Sequence, residues 1–257
     1  MWALGVGVFA TGCAARRLEL PSDPGAPFPD FADTLRRVTM MCAGARTMTA
    51  ELALAGRAGG RSLRGRAIVG FERPASMRLE GVAPFGPPAF ILAARDGAAT
   101  LLLPRDNRVL HNAPADEILG ALTGVALAPA DLQAILTGCV VAQPAATGGR
   151  LHQNGWASID LGSGATLFLA MANGAWQPRA ARRPGWQIEY PAWQTGFPQT
   201  VRLRSLNSAI DVDLTAAVSQ LETNVSLDPS AFAVTGPANA MELTLDELRE
   251  TGPLRAQ

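Results

Sequence analysis

The strongest constraint on the fold comes from two short extended runs on either side of a proline-rich hexapeptide. The first run, M-R-L-E-G-V (residues 77–82), alternates apolar and charged side chains, whereas the second, A-F-I-L-A-A (residues 89–94), is almost wholly apolar. A period of two residues is typical of a strand with one buried face. The intervening A-P-F-G-P-P has three prolines, which cannot donate to a strand ladder, and one flexible glycine. We therefore predict a β-hairpin whose stiff tip carries one aromatic residue, Phe85.

Two short helical segments come later in the chain, D-E-I-L-G-A-L-T-G (residues 116–124) and A-P-A-D-L-Q-A-I-L-T-G (residues 128–138). The first has Asp116 and Glu117 and the second has Asp131 in its first turn, where the helix dipole favours carboxylates, and each has a glycine at its end, where a left-handed cap is common. Each also has one apolar stripe, which needs a surface to lie on. We predict that both helices lie across the apolar face of a sheet and enclose a hollow for an apolar ligand.

Further alternating runs predict about ten or eleven strands with short connections. Asp96–Gly97 and Asn173–Gly174 are strong signals for tight turns between them. Many strands, short connections and few helices favour a mainly β fold, with one large antiparallel sheet that is curved or closed. The length of 257 residues is compatible with one large β domain, which we place at residues 30–257 with an extension after Leu214.

The first twelve residues are uncharged and apolar, too short to span a bilayer as a helix, and end in small residues. They fit the apolar part of a signal peptide (residues 1–12). Cys13 follows directly, and A-T-G-C resembles a bacterial lipobox, in which the cysteine is acylated and becomes the mature N-terminus. Residues 13–29 contain four prolines and predict a tether between the lipid anchor and the domain.

Two further cysteines, Cys42 and Cys139, would lie in an oxidising compartment after export. An even pair in such a compartment favours a disulfide. The alternative is two small buried apolar residues, because free cysteine is among the most buried residue types. The sequence leaves both possibilities open.

Several classes of function lack support in the sequence. The 22 basic residues are all arginine, are scattered, and are balanced by 22 acidic residues, which argues against nucleic-acid binding. Without lysine there is no P-loop and no Schiff base. The two histidines, His111 and His152, have no metal-ligand spacing, and no G-x-S-x-G is present. We therefore expect no metal, no cofactor and no enzyme activity.

Three passages together resemble the outer-membrane lipoprotein receptor of the Lol sorting pathway, the LolB-like family. They are the hairpin L-E-G-V-A-P-F-G, the helical pair D-E-I-L-G-A-L-T-G and L-Q-A-I-L-T-G, and the late strands G-W-Q-I-E-Y-P-A-W and F-P-Q-T-V-R-L. With the lipobox, the resemblance covers residues 47–214 roughly. The uncharged leader, the cysteine pair and the C-terminal extension depart from the family, and the extension resembles the longer end of the soluble carrier in the same pathway.

The resemblance implies an incomplete, half-open antiparallel β-barrel with helices covering an apolar cavity. It implies a monomer on the periplasmic face of the outer membrane that accepts lipoproteins by their acyl chains from a periplasmic carrier. The family has an exposed leucine in the same P-x-G context as Phe85, which implies that Phe85 enters the bilayer. We predict that nine residues line the cavity: Phe71, Met77, Leu79, Phe90, Leu92, Leu101, Leu103, Trp186 and Tyr190.

Other functions remain open at this point. A carrier of free lipid or glycolipid could use the same scaffold, a lipid-anchored sensor could bind a protein partner, and a hydrolase could have dispersed catalytic residues. Ordinary core packing is the alternative for each predicted cavity residue.

Overall fold

The computed structural model of the chain describes residues 18–162, 164–207 and 211–251. The predicted signal peptide (residues 1–12) and Cys13 lie outside these ranges. The described strands form one sheet that does not close on itself, so the predicted mainly β fold with an incomplete antiparallel barrel is confirmed.

Fifteen strands make up this sheet within the described ranges. They are β1 (Ala26–Pro27), β2 (Thr47–Ala58), β3 (Arg61–Glu72), β4 (Ser76–Val82), β5 (Phe90–Arg95), β6 (Ala98–Leu103), β7 (Arg108–Ala113), β8 (Ala146–Leu151), β9 (Trp156–Leu161), β10 (Ala165–Ala172), β11 (Ala175–Arg183), β12 (Trp186–Gln194), β13 (Phe197–Ser205), β14 (Val212–Thr223) and β15 (Met241–Glu242). Their order is β1-β8-β9-β10-β11-β12-β13-β14-β2-β3-β4-β5-β6-β7-β15, and all pairs are antiparallel except β7 with β15.

The predicted number of ten or eleven strands is too low. Three of the additional strands are β1, β8 and β15. β8 has the sequence A-T-G-G-R-L, which shows no apolar alternation, and β1 and β15 have only two residues each. A pattern of period two needs several residues to be visible, so strands this short or this rich in glycine give little signal.

Buried apolar side chains lie in register on one face of the sheet. Strands β2 to β7 each contribute one residue to a continuous row, formed by Ala50, Val69, Leu79, Leu92, Leu101 and Leu110. All six are buried and belong to the main core cluster. Because buried apolar surface contributes about 25 cal/mol per Å², such rows hold the strands of the open sheet together.

Within the part of the chain that the structure describes, four α-helices accompany the sheet: α1 (Phe31–Gly44), α2 (Ala115–Thr123), α3 (Pro129–Thr137) and α4 (Leu245–Thr251). Two 3-10 turns occur at Gln153–Gly155 and Pro229–Phe232. The helices α2 and α3 end at Gly124 and Gly138, whose φ angles of 75° and 91° are left-handed. This agrees with the predicted helical pair, because glycine enters that region without a steric penalty.

A disulfide joins Cys42, in the last turn of α1, to Cys139, with the two Cα atoms 5.7 Å apart. The sequence had left this pairing open. Both cysteines are buried and form a small cluster with Ala134 of α3. The bridge therefore fastens α3 to α1 at one side of the sheet.

The C-terminal extension crosses the outer face of the sheet and returns to its far edge. Phe232 is buried beside Ile68, and Arg78 donates a 2.9 Å hydrogen bond to the carbonyl oxygen of Ala231. The chain then pairs with β7 as β15, and α4 packs on α2 with Leu248 fully buried in the core. The extension is thus an integral part of the fold.

The end of the predicted tether is also part of the folded domain. β1 pairs with β8, and the buried Phe28 packs its ring on Trp176 with centroids 5.9 Å apart. The ordered domain therefore begins several residues before the boundary at residue 30 that was predicted from the sequence. The proline-rich composition of this segment indicates a tether, so its sequence gives no sign of a strand. Proline is nevertheless tolerated in an edge strand, which is where Pro27 lies.

Candidate functional site

An apolar cavity of about 110 Å³ lies between the helices α2 and α3, which we call the lid helices, and the inner face of the sheet. Thr123 is the one polar residue among those that line it. The lining residues are Leu52, Leu54, Leu79, Leu119, Thr123, Val125, Leu127, Leu132, Ile135, Leu136, Val201, Leu203, Leu214 and Ala216. Such a lining can hold hydrocarbon, and it offers a polar ligand almost no hydrogen-bonding partner.

A larger cavity of about 550 Å³, the mouth, adjoins the apolar cavity because Leu54, Leu79 and Thr123 line both. The mouth is formed by the first half of β3, the end of β4 and the start of β5. Its volume is within the range of about 300–1,000 Å³ that is usual for ligand sites. Together the two spaces make a route from solvent to the interior beneath the lid helices.

The wall of the mouth depends on one glycine. Gly81 pairs with Phe90 across β4 and β5, and a Cβ atom at Gly81 would lie 2.5 Å from the Phe90 ring. The ring therefore occupies the space that any other residue at position 81 would fill. Both residues line the mouth, so this contact sets its shape.

The tip of the β4–β5 hairpin (residues 83–88) stands at the rim of the mouth. Ala83 and Pro84 line the mouth, whereas Phe85 is 88% exposed and is the most exposed large apolar residue in the described ranges. Gly86 adopts a left-handed φ of 77°, which turns the chain. Arg105 holds the tip from the β6–β7 turn, because its guanidinium donates hydrogen bonds to the carbonyl oxygens of Phe85 (2.6 Å) and Pro87 (3.4 Å).

The nine predicted cavity residues fall into three groups. Leu79 lines the apolar cavity and the mouth, and Phe90 lines the mouth. Trp186 is partly buried against the core. The other six are buried in the main core cluster and are not among the residues that line either space: Phe71, Met77, Leu92, Leu101, Leu103 and Tyr190.

Most of the observed cavity lining was missed. It comes from the lid helices and from β13 and β14, at positions such as Leu132, Ile135, Val201 and Leu214. The apolar stripes of the lid helices were visible in the sequence, since they required a covering surface. Alternation alone marks a residue as inward-facing and cannot say whether its neighbours are packed or spaced apart.

Tyr190 and Trp193 place two polar atoms inside the protein. The Tyr190 hydroxyl and the Trp193 indole nitrogen are buried without a hydrogen-bond partner in the described part of the chain, and their rings are 5.6 Å apart. Burial raises the pKa of the Tyr190 phenol far above its usual range, an effect that the nearby charge of Arg183 only partly opposes. The phenol is therefore neutral and can act only as a hydrogen-bonding group.

One group of side chains has the composition of a hydrolytic triad. His152 Nε2 lies 2.8 Å from Ser158 Oγ, and His152 Nδ1 lies 3.4 Å from a carboxylate oxygen of Asp23. Ser158 is buried, however, and none of the three residues lines the cavity or the mouth. A nucleophile needs access to its substrate, so we interpret this group as a link between the N-terminal segment and β9.

A metal-binding cluster or a membrane-spanning helix would indicate another class of function. No cluster of three or more histidine, cysteine, aspartate or glutamate residues is arranged to hold a metal ion. No helix there is both long and apolar enough to cross a bilayer.

Known structures with a similar architecture support the fold assignment. A DUF1329 family protein from Desulfovibrio piger superposes with a TM-score of 0.52 at 11% identity, covering 80% of this chain and 97% of the other. A LolA superfamily protein from Nitrosomonas europaea gives 0.51 at 10% identity, covering 78% and 98%. The chain shares the LolA-like fold. No protein-family model and no curated protein matches its sequence.

Proposed function

We propose that this protein is a lipid-anchored receptor of the bacterial envelope that accepts lipoproteins by their acyl chains and inserts them into the outer membrane. The observation that carries the proposal is the arrangement of one apolar cavity, one wide mouth and one exposed aromatic tip at the same end of the sheet. The LolA-like scaffold and the LolB-like sequence passages support it.

The need to shield acyl chains from water explains why the lining of the cavity is apolar. Each methylene taken out of water contributes about 0.8 kcal/mol, so a multi-chain lipid cannot cross an aqueous gap unshielded. An apolar lining supplies the shelter, and transfer then needs only a graded affinity from carrier to receptor to membrane. The proposal includes no catalytic step and no cofactor.

Several acyl chains need more room beneath the lid helices than the apolar cavity of about 110 Å³ offers, so we expect a lid helix to move when they enter from the mouth. The disulfide fastens α3 to α1, whereas α2 has no covalent bridge to the described residues and is held by apolar packing on α4 and by an exposed 2.9 Å ion pair between Arg249 and Glu117. Surface ion pairs of this kind contribute about 0–1 kcal/mol. We therefore assign the opening movement to α2.

The tip and the N-terminus give the receptor its place in the envelope. Phe85 would enter the bilayer during delivery, and acylated Cys13 would keep the domain on the periplasmic face of the outer membrane. Cys13→Ala should then move the protein from membrane to soluble fractions. Unchanged membrane association of that variant would contradict the lipid anchor.

The small size of the apolar cavity favours a second candidate, a carrier of free lipid on the same scaffold. A single chain fits beneath the lid helices with less displacement than several chains do. In that case the cargo would be a phospholipid or glycolipid, and the periplasmic lipoprotein carrier would not be a partner.

Mass spectrometry of the lipids that co-purify with the protein, which we expect to be a monomer, tests both candidates. Bound acylated proteins or peptides would support the lipoprotein receptor, and free phospholipids or glycolipids would support the carrier. A protein that extracts no lipid and takes up no fluorescent fatty-acid probe would refute both, and would favour a sensor that binds a protein partner.

A further inference from the structure

Arg105 has capacity for a ligand beyond the hydrogen bonds that it makes to the tip. A guanidinium group has five N–H donors, and the carbonyl oxygens of Phe85 and Pro87 are both uncharged acceptors. Within the described ranges, no carboxylate forms an ion pair with Arg105. Arg105 therefore keeps its full charge and several donors at the rim of the mouth.

The position of this charge is fixed relative to Phe85. One guanidinium nitrogen lies 2.6 Å from the backbone oxygen of Phe85, so the charge moves with the backbone of the tip. Apolar side chains of interfacial segments enter about 5–10 Å into the boundary between headgroups and acyl chains. When the Phe85 ring reaches hydrocarbon, its backbone and Arg105 are therefore at the level of the lipid phosphates.

We propose that Arg105 binds the phosphate of an anionic phospholipid when the tip enters the bilayer, so that delivery prefers an anionic membrane surface. The inference rests on the proposed function, because it requires insertion of Phe85. Arginine suits this role, since its planar fork can hold the tip carbonyls with some donors and a phosphate with others.

The other charges around the mouth define how strong the preference can be. Arg66, one of the residues that line the mouth, is neutralised by a 2.6 Å ion pair with Glu51, and Arg64 forms no ion pair with a described residue. Asp106 lies next to Arg105, is exposed, and opposes an anionic surface. The net charge is thus modestly positive, and Arg105 is the group closest to the tip.

The test uses the full chain with Cys13→Ser in every variant, so that membrane affinity comes from the tip. Binding is measured by vesicle co-sedimentation at low and physiological salt, with vesicles of phosphatidylcholine alone or with one third phosphatidylglycerol. The unaltered tip should prefer the anionic vesicles, and salt should reduce that preference. Arg105→Gln should weaken binding to the anionic vesicles about fivefold and leave phosphatidylcholine binding within twofold.

Two matched variants separate charge from structure. Arg105→Lys keeps the charge and should retain most of the preference, whereas Asp106→Asn should strengthen it. An equal loss on both kinds of vesicle for Arg105→Gln would show a purely structural role and overturn the inference, as would a wild-type tip without any preference. If the wild-type tip binds neither vesicle, tip insertion itself is refuted, and the inference falls with that part of the proposed function.

Discussion

The disulfide between Cys42 and Cys139 fastens the last turn of α1 to the residue that directly follows the left-handed cap of α3. The two cysteines are 97 residues apart in sequence, and the loop between them contains β2 to β7 and both lid helices. With the bridge intact, the unfolded chain therefore has less conformational freedom over a large part of its length.

Removal of this bridge should destabilise the protein. Long closed loops lose much conformational entropy, and the loss of a native disulfide typically costs about 2–5 kcal/mol. We expect the double variant Cys42→Ala, Cys139→Ala to unfold at a clearly lower urea concentration, as followed by circular dichroism. A reductant should shift the wild-type midpoint in the same direction and leave the variant unchanged. Equal midpoints for wild type and variant would contradict the expectation.

The contact between Gly81 and Phe90 predicts an intolerance to any side chain at position 81. Alanine generally suits a strand better than glycine by about 0.5–1 kcal/mol. The overlap with the Phe90 ring should outweigh this gain, because overpacking typically costs about 1–3 kcal/mol. Gly81→Ala should therefore lower the free energy of unfolding.

A double-mutant cycle isolates this contact. Phe90→Leu shortens the side chain and should restore part of the stability lost in Gly81→Ala, so the two effects should not add. Additive losses in urea denaturation would mean that Phe90 is not the group that excludes a side chain at position 81.

Sequence patterns predicted the local elements well. Asp96–Gly97 and Asn173–Gly174 form tight turns with positive φ at each residue, and Gly124 and Gly138 end the lid helices. These features depend on the chemistry of one or two adjacent residues, which a sequence displays directly.

The site was predicted only in part, because its geometry depends on distant segments. Leu79 and Leu92 are neighbours in the same buried row, yet only Leu79 lines the apolar cavity. The apolar cavity lies where residues of both lid helices face the sheet, and no local pattern encodes where those helices lie. The exposure of Phe85, in contrast, follows from the prolines and the glycine that surround it.

Filling the apolar cavity should reduce lipid uptake without loss of stability. Ala216→Leu adds three carbons to the cavity wall, where they would displace an equal volume of ligand hydrocarbon. Three ligand carbons that lose their place in the cavity lower the binding free energy by about 2 kcal/mol, which is roughly thirtyfold in affinity for a fluorescent fatty-acid probe. The thermal midpoint should stay the same or rise.

Ala181→Leu provides the matched control, because Ala181 is fully buried in the packed core and is not among the residues that line the cavity. The same three carbons should cost about 1–3 kcal/mol there. If Ala216→Leu proves as destabilising as this control, or binds the probe normally, then the space beneath the lid helices does not receive acyl chains.

Phe85→Glu should separate cargo capture from cargo delivery. The side chain is solvent-exposed and lines neither cavity, so folding and capture from a carrier should be normal. A charged residue in hydrocarbon costs about 2.5–3.5 kcal/mol, so transfer to liposomes should fall roughly a hundredfold.

Two controls accompany this measurement. Phe85→Leu should deliver cargo nearly as well as wild type, and Met171→Glu, at another exposed apolar position, should leave transfer unchanged. Normal transfer by Phe85→Glu would refute an inserting tip, and a lowered melting temperature that accompanies loss of both steps would indicate misfolding instead.

The short strands β1 and β15, at the two edges of the described sheet, protect it from self-association. An open sheet presents unpaired N–H and C=O groups along its outermost strands, and such strands readily recruit strands of other molecules. Here β1 covers part of β8 and β15 covers part of β7, and Pro27 lacks the N–H group that a further strand would need. Strands β1 and β15 thereby keep the fifteen-stranded open sheet of the described residues from pairing edge to edge with its own copies, a property that the proposed lipid anchor would make important by concentrating the protein on one membrane surface.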